Sequence, residues 1–295
     1  GNFTWDSPSQ AINFNIGGVL VTINGDFTVA NTGTGSIRLK NFEAGTSNTT
    51  VFGDYIQTGG TLFLIGTSEN QNLNIRGDFN MSGGTLTRGG TPGPTSIANV
   101  FFSGTAVQTF TKTGGTISNN INFTINSNAK VDFGTSVLSG STGTFTLAIG
   151  GKIITANADG LGAAGSVQMT RVYNSLADYE FQGPATGVFT TSTANTVRDL
   201  IINNSVNGGD VSLDMLLNVT RDLTLTEGTV TTTTNLLTIG SAGTATAPTP
   251  TSFVNGPLAK VGSTAFSFPV GKAGEGYRTI GIGTPSGNAT FRAEF

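Results

Sequence analysis

The sequence predicts an all-β chain wound as a parallel, right-handed β-solenoid, with a β-rich C-terminal module that caps it or begins a β-sandwich. Three observations carry this reading. Apolar and polar residues alternate with a period of two along the chain. Clusters of Gly, Asn, Ser and Asp interrupt that alternation at short intervals. The sequence also resembles itself at spacings of roughly one coil.

The alternation defines the strands. Ile12-Asn13-Phe14-Asn15-Ile16, Val19-Leu20-Val21-Thr22-Ile23, Leu73-Asn74-Ile75-Arg76, Ile121-Asn122-Phe123-Thr124-Ile125 and Leu223-Thr224-Leu225-Thr226 each put one apolar face against a core. Between the strands lie Gly17-Gly18, Gly59-Gly60, Gly83-Gly84, Gly114-Gly115, Asn203-Asn204 and Gly208-Gly209. These residues tolerate positive φ or bond to nearby backbone, so each cluster marks a turn. Helical spacing is scarce. The best stretch, Ala156 to Ala164, carries Asp159, Gly160 and Gly162 and reads as a loop.

Internal similarity selects the kind of β fold. Gly-Asp-aromatic recurs at Gly25-Asp26-Phe27, Gly53-Asp54-Tyr55 and Gly77-Asp78-Phe79, with echoes at Val131-Asp132-Phe133 and Arg221-Asp222-Leu223. Gly-Gly-Thr followed by Leu or Ile begins at Gly59, Gly83 and Gly114. A longer duplication sets Phe101-Phe102-Ser103-Gly104 against Glu180-Phe181-Gln182-Gly183, and Phe110-Thr111 against Phe189-Thr190. A further match sets Asn122-Phe123 against Asp199-Leu200. Read as about three coils of roughly 26 residues, these offsets suit three short strands and three turns per coil. Coils stacked about 4.8 Å apart would bury inward Phe, Leu, Ile and Val against their copies, and corner Asn could form amide ladders.

The solenoid is expected to span residues 1–245. Pro248 and Pro250 then mark an extended link, and residues 246–295 form the C-terminal module, whose last residues, Phe291 to Phe295, again alternate like a strand. Strand patterning is running by Ala11, and Gly1 to Asp6 lack the segments of a signal peptide, so the chain reads as a mature or excised piece.

Composition narrows the function. Only 11% of residues are charged, the net charge is −3, and there are 49 Thr, 43 Gly and 27 Asn but no Cys or His. The few scattered cations argue against a nucleic-acid partner. Without Cys and His the commonest zinc, haem and iron–sulfur ligands are missing, so no cofactor is expected. No apolar run approaches the length of a membrane span.

Several stretches resemble repeat-rich cell-surface proteins of Bacteroidota exported by the type IX system, including large gliding-motility adhesins. They are Tyr173-Asn174-Ser175-Leu176-Ala177-Asp178-Tyr179-Glu180-Phe181-Gln182-Gly183, then Asp199-Leu200-Ile201-Ile202-Asn203-Asn204 followed by Leu223-Thr224-Leu225-Thr226-Glu227-Gly228-Thr229. Val254-Asn255-Gly256-Pro257-Leu258, Phe268-Pro269-Val270-Gly271-Lys272 and Tyr277-Arg278 come after them. The order of these loose motifs carries the likeness, which covers most of residues 98–282. It departs at Leu176 and Gly187-Val188, where the family more often has Gln and Gly. The resemblance implies an extracellular, fibrous or adhesive role and no catalytic residue.

Many β-helices cleave polysaccharides with paired carboxylates or calcium. Here Glu43, Glu69, Glu180, Glu227, Glu275, Glu294 and eleven Asp are available, and the closest pairs are Asp178 with Glu180 and Asp210 with Asp214. Asp178 and Glu180 fall on one strand face about 7 Å apart. Asp26, Asp54 and Asp78 could stack into a cation-binding column, but Asp after Gly more commonly accepts backbone hydrogen bonds at a corner. Thr229, Thr231 to Thr234 and Thr238 are too irregular for an ice-binding array. Lys272 and Arg278 could clamp a carboxylate, though a surface pair is the simpler reading.

The expectation is therefore a non-enzymatic, extracellular structural or adhesin segment with no catalytic, cofactor or metal residues. It would meet surface glycans, other subunits of a surface assembly, or flanking repeats of its own parent chain. The alternatives are a polysaccharide-active β-helix enzyme and a self-assembling surface fibre subunit.

Overall fold

The computed structural model describes residues 1–40, 45–66, 70–89, 96–183, 185–186, 195–204 and 209–295, with backbone alone at Ala185–Thr186. Glu43, Glu69, Gly187-Val188, Phe189-Thr190 and Gly208 lie outside the described residues. Every regular element among those described is a β-strand, and residues 156–164 form a loop. The fold is a β-solenoid of stacked parallel strands. It divides into two compact units, one comprising Gly1–Leu147 with Gln168–Val172 and the other Ala148–Val167 with Tyr173–Phe295.

In the first unit each coil visits three parallel sheets in turn. One contains Phe3–Asp6, Phe27–Asn31, Tyr55–Gln57, Phe79–Met81, Val107–Lys112 and Lys130–Asp132. The second runs through Asn13–Asn15, Ser36–Lys40, Thr61–Ile65, Thr85–Thr87 and Thr116–Ser118. The third contains Thr22–Ile23, Thr46–Val51, Asn70–Ile75, Ala98–Phe102, Ile121–Ile125 and Thr144–Leu147. Register aligns like with like, so the Gly-Asp-aromatic repeat becomes a column: Phe27 pairs with Tyr55, Tyr55 with Phe79 and Phe79 with Phe110. Successive rings from Phe27 through Tyr55, Phe79 and Phe110 to Phe133 lie 5.7, 4.9, 4.9 and 4.8 Å apart. All five are essentially inaccessible to solvent, and burying each such side chain contributes about 1.5–3 kcal/mol.

The strands expected near the N-terminus are shorter than the alternation suggests, Asn13–Asn15 and Thr22–Ile23. Ile12, Phe14, Val19 and Val21 are exposed there, while the register successors of Phe14, Ile37 and Leu62, are fully buried. The difference is positional: these residues belong to the first coil of the stack, and Ile37 and Leu62 have a coil on either side.

The second unit winds differently. Lys152–Thr155, Asp178–Phe181, Thr196–Asn203 and Leu217–Glu227 stack in parallel, and the last two are long strands whose register slips between Val197 and Asp199. The first part of Leu217–Glu227 pairs with Leu237–Ile239 and its later part with Thr244–Ala245. One long strand thus pairs with two successive short ones, and the coil is shorter. Partner positions advance by 21 residues from Asp178 to Asp199 and 20 from Leu217 to Leu237, against 28 from Phe27 to Tyr55 and 31 from Phe79 to Phe110. The coil of roughly 26 residues is therefore an average over unequal coils.

The duplication does not mark equivalent coil positions. Ala98–Phe102 lies in the seven-stranded sheet and Asp178–Phe181 in the fourteen-stranded one, and Ile121–Ile125 and Thr196–Asn203 are divided in the same way. Alternating apolar strands look alike whichever face they occupy, so sequence similarity alone could not set the phase.

Parallel pairing continues past residue 245, through Val254–Asn255, Leu258–Gly262 and Phe266–Lys272. The direction then reverses: Gly276–Ile282 pairs antiparallel with Phe266–Lys272, and Ala289–Ala293 antiparallel with Leu258–Gly262. These two strands cover edges that a further parallel coil would otherwise occupy.

Candidate functional site

The Gly-Asp column of the first unit is a hydrogen-bond relay. Asn2 Oδ1 accepts from the Asp26 amide at 3.0 Å, Asp26 Oδ1 from the Asp54 amide at 2.9 Å, and Asp54 Oδ1 from the Asp78 amide at 2.7 Å. Asp78 Oδ1 accepts from the Thr109 amide at 2.7 Å. Each side chain thus caps the corner of the next coil. The preceding Gly is required by close approach: a Cβ on Gly77 would sit 2.4 Å from both Asp54 Oδ1 and the Gly53 carbonyl oxygen. Asp132, the echo of the motif, instead accepts locally from the Gly134 amide.

A second relay runs along the third sheet. Asn48, Asn72, Asn99 and Asn122 occupy one register position, and each amide nitrogen donates to the preceding amide oxygen at 2.8, 2.8 and 3.1 Å. The chain ends on Asn122 Oδ1, which accepts from the Thr144 amide.

The densest charge lies in the second unit. Arg198 binds Asp178 through two bonds, Nε to Oδ1 at 2.7 Å and Nη2 to Oδ2 at 2.6 Å. Arg221 grips Asp199 in the same two-pronged way. In both cases the Arg reaches back one coil, and the residue after it is the Asp that the next coil engages: Asp199 follows Arg198, and Asp222, which follows Arg221, accepts from Thr244 Oγ1. Glu180 pairs with Lys152 and accepts from Gln182 at 2.9 Å and Asn203 at 3.4 Å. Burial opposes ionisation of Glu180, but the hydrogen bonds from Gln182 and Lys152 outweigh it and hold its carboxyl below the usual range. The bonds to Asp178 and Asp199 likewise raise the Arg198 and Arg221 guanidinium pKa values.

Asp178 and Glu180 do share one strand, as their spacing implies, and both are nearly buried. What spacing could not reveal is that each meets a cation from a neighbouring coil. A general acid needs a raised pKa and reach to a substrate, and Glu180 has the opposite shift. Asp210 accepts from Thr229 Oγ1. Lys272 pairs with Glu275, and Arg278 lies over the Phe295 ring at 5.2 Å, so those two cations do not converge on one anion. Among the described residues, no three His, Cys, Asp or Glu side chains gather to hold a metal.

Buried amides were invisible to the pattern. Gln57, Gln71 and Gln108 point inward and are almost fully buried. Gln57 accepts from the Tyr55 hydroxyl at 2.6 Å and donates to the Thr85 carbonyl at 3.0 Å. Gln108 accepts from the Gly104 amide and donates to the Ile75 carbonyl. A polar residue at an inward position looks like a break in alternation, and the sequence carries no other signal for it.

Among the described residues, two open clefts of the second unit stand out. One, of about 370 Å³, is lined by Thr244, Ala245, Thr264, Phe266 and other small residues. The other, of about 290 Å³, is lined by Thr231, Asn255, Lys272, Glu294 and Phe295 among others. Neither contains the Asp178, Glu180 and Asp199 cluster. Among the described residues no helix is long and apolar enough to cross a membrane. No family model matches the chain, and no curated protein or solved structure is significantly similar to it.

Proposed function

We propose that this chain is a non-enzymatic, extracellular segment of a large bacterial surface protein, a solenoid spacer that presents a binding surface to glycans or to other subunits. The observation that carries the reading is how the polar residues are used. Asp26, Asp54, Asp78, Asp178 and Asp199 each join one coil to the next, through the Asp relay of the first unit, which an Asn relay parallels, and the Arg–Asp pairs of the second. Repetition of this kind lets a thin structure resist shear without disulfides, in keeping with a chain that has no Cys. Placement at the cell surface rests on the low charge, the abundance of Thr, Asn and Gly, and the resemblance of residues 98–282 to type IX-exported gliding-motility adhesins of Bacteroidota.

A screen against soluble and insoluble polysaccharides tests the proposal. Retention on one or more glycans, or on intact cells, without release of reducing ends is expected. Release of reducing ends that Glu180→Ala abolishes, while the thermal transition persists, would replace this reading with that of a polysaccharide-active enzyme.

A further inference from the structure

The strand Gly276–Ile282 is the outermost of its sheet, paired with Phe266–Lys272 on one side and, among the described residues, with no strand on the other. Its five central residues, Tyr277 to Gly281, are exposed, so both of its faces and one edge meet solvent.

Pro269 sets the phase of that edge. It stands opposite Thr279 and has no N–H to exchange. In an antiparallel ladder, alternate opposed residues turn their backbone groups away from each other. Pro269–Thr279 is such a pair, and Gly271–Tyr277 and Ser267–Gly281, two positions away on either side, are of the same kind. The N–H and C=O groups of Tyr277, Thr279 and Gly281 therefore face the open edge. One of these six groups has a side-chain partner, since Arg278 Nη1 donates to the Tyr277 carbonyl at 2.9 Å.

We propose that two copies of this chain associate through this edge, strand Gly276–Ile282 pairing antiparallel with its own counterpart about a two-fold axis at Thr279. The pattern is self-complementary. Thr279 faces the second copy's Thr279 as a hydrogen-bonded pair, and Tyr277 faces its Gly281, so an aromatic ring covers a residue that has no side chain. Arg278, the strand's single charge, faces Ile280 and not a second Arg. Neither Pro nor a carboxylate interrupts the strand, which leaves it without the usual guards against edge pairing. The three outward-facing residues of each copy supply six backbone bonds, and the interface closes on itself as a dimer.

Because the chain has no Cys, Thr279→Cys introduces a single thiol. Hydrogen-bonded antiparallel partners lie about 5.5 Å apart between Cα atoms, within reach of a disulfide. Mild oxidation should convert Thr279→Cys to a covalent dimer, while Thr105→Cys, on an exposed turn, should form no covalent dimer. Sedimentation equilibrium of the unmodified chain should show a reversible monomer–dimer equilibrium. Thr279→Pro should weaken it by about tenfold or more at an unchanged thermal transition, and Arg278→Thr, which uncovers the Tyr277 carbonyl, should strengthen it. A monomer at the highest soluble concentration, association undiminished in Thr279→Pro, or growth into open filaments would each overturn the proposal.

Discussion

Asp54 shows how far a single side chain can be assigned from sequence. The Gly-Asp-aromatic repeat announces a corner, and the alternatives for the Asp are a cation ligand or a backbone cap. In the structure its Oδ1 accepts one amide from the next coil, and Asn2 does the same with its amide oxygen. Asn should therefore replace Asp at this position with little loss. Chemical denaturation is expected to place Asp54→Asn within about 0.5 kcal/mol of the unmodified protein and Asp54→Ala about 1–2 kcal/mol below it. If both variants lose stability equally, charge and not capping is the essential property. Arg198 and Arg221 were less legible, because an Arg-Asp dipeptide in a strand does not say that the Arg will bind the Asp of the preceding coil. Arg198→Ala leaves the nearly buried Asp178 without its cation and should cost about 2–4 kcal/mol. The more exposed Arg221 should cost less.

At the scale of elements, the column of rings dominates the first unit. Phe79 touches Tyr55 on one side and Phe110 on the other and is fully buried. Phe79→Ala opens a void between two coils and should destabilise the unit by about 3–5 kcal/mol in urea titration, whereas Phe63→Ala on the partly exposed face should cost much less. In the second unit, Glu180 links Lys152–Thr155 to Thr196–Asn203. Its folded pKa is depressed, so its contribution is present above the unfolded value of 4.5 and is lost as pH falls through the lower folded value. Thermal denaturation between pH 6 and pH 3, run with Glu180→Gln alongside, should show a steeper acid loss in the unmodified protein; parallel curves would remove Glu180 from the account.

Period-two alternation located some of these strands, among them Asn70–Ile75 and Ile121–Ile125, but not one such as Asp178–Phe181, which is buried at all four positions. It could not say which face a strand occupies, so the duplicated blocks were aligned across different sheets. Nor could it foresee that Leu217–Glu227 would pair with two successive strands, because a register slip leaves composition unchanged.

For the molecule as a whole, the free energy of a stack is close to a sum over neighbouring coils, so unfolding should proceed coil by coil and not in one concerted step. That is the behaviour the proposed spacer role requires. Pulling single molecules between Gly1 and Phe295 tests it most directly. The account predicts a series of force-resisting steps, each releasing one coil of 20 to 31 residues, or about 70–110 Å of extended chain. Release of most of the chain in one or two large steps at low force would contradict it.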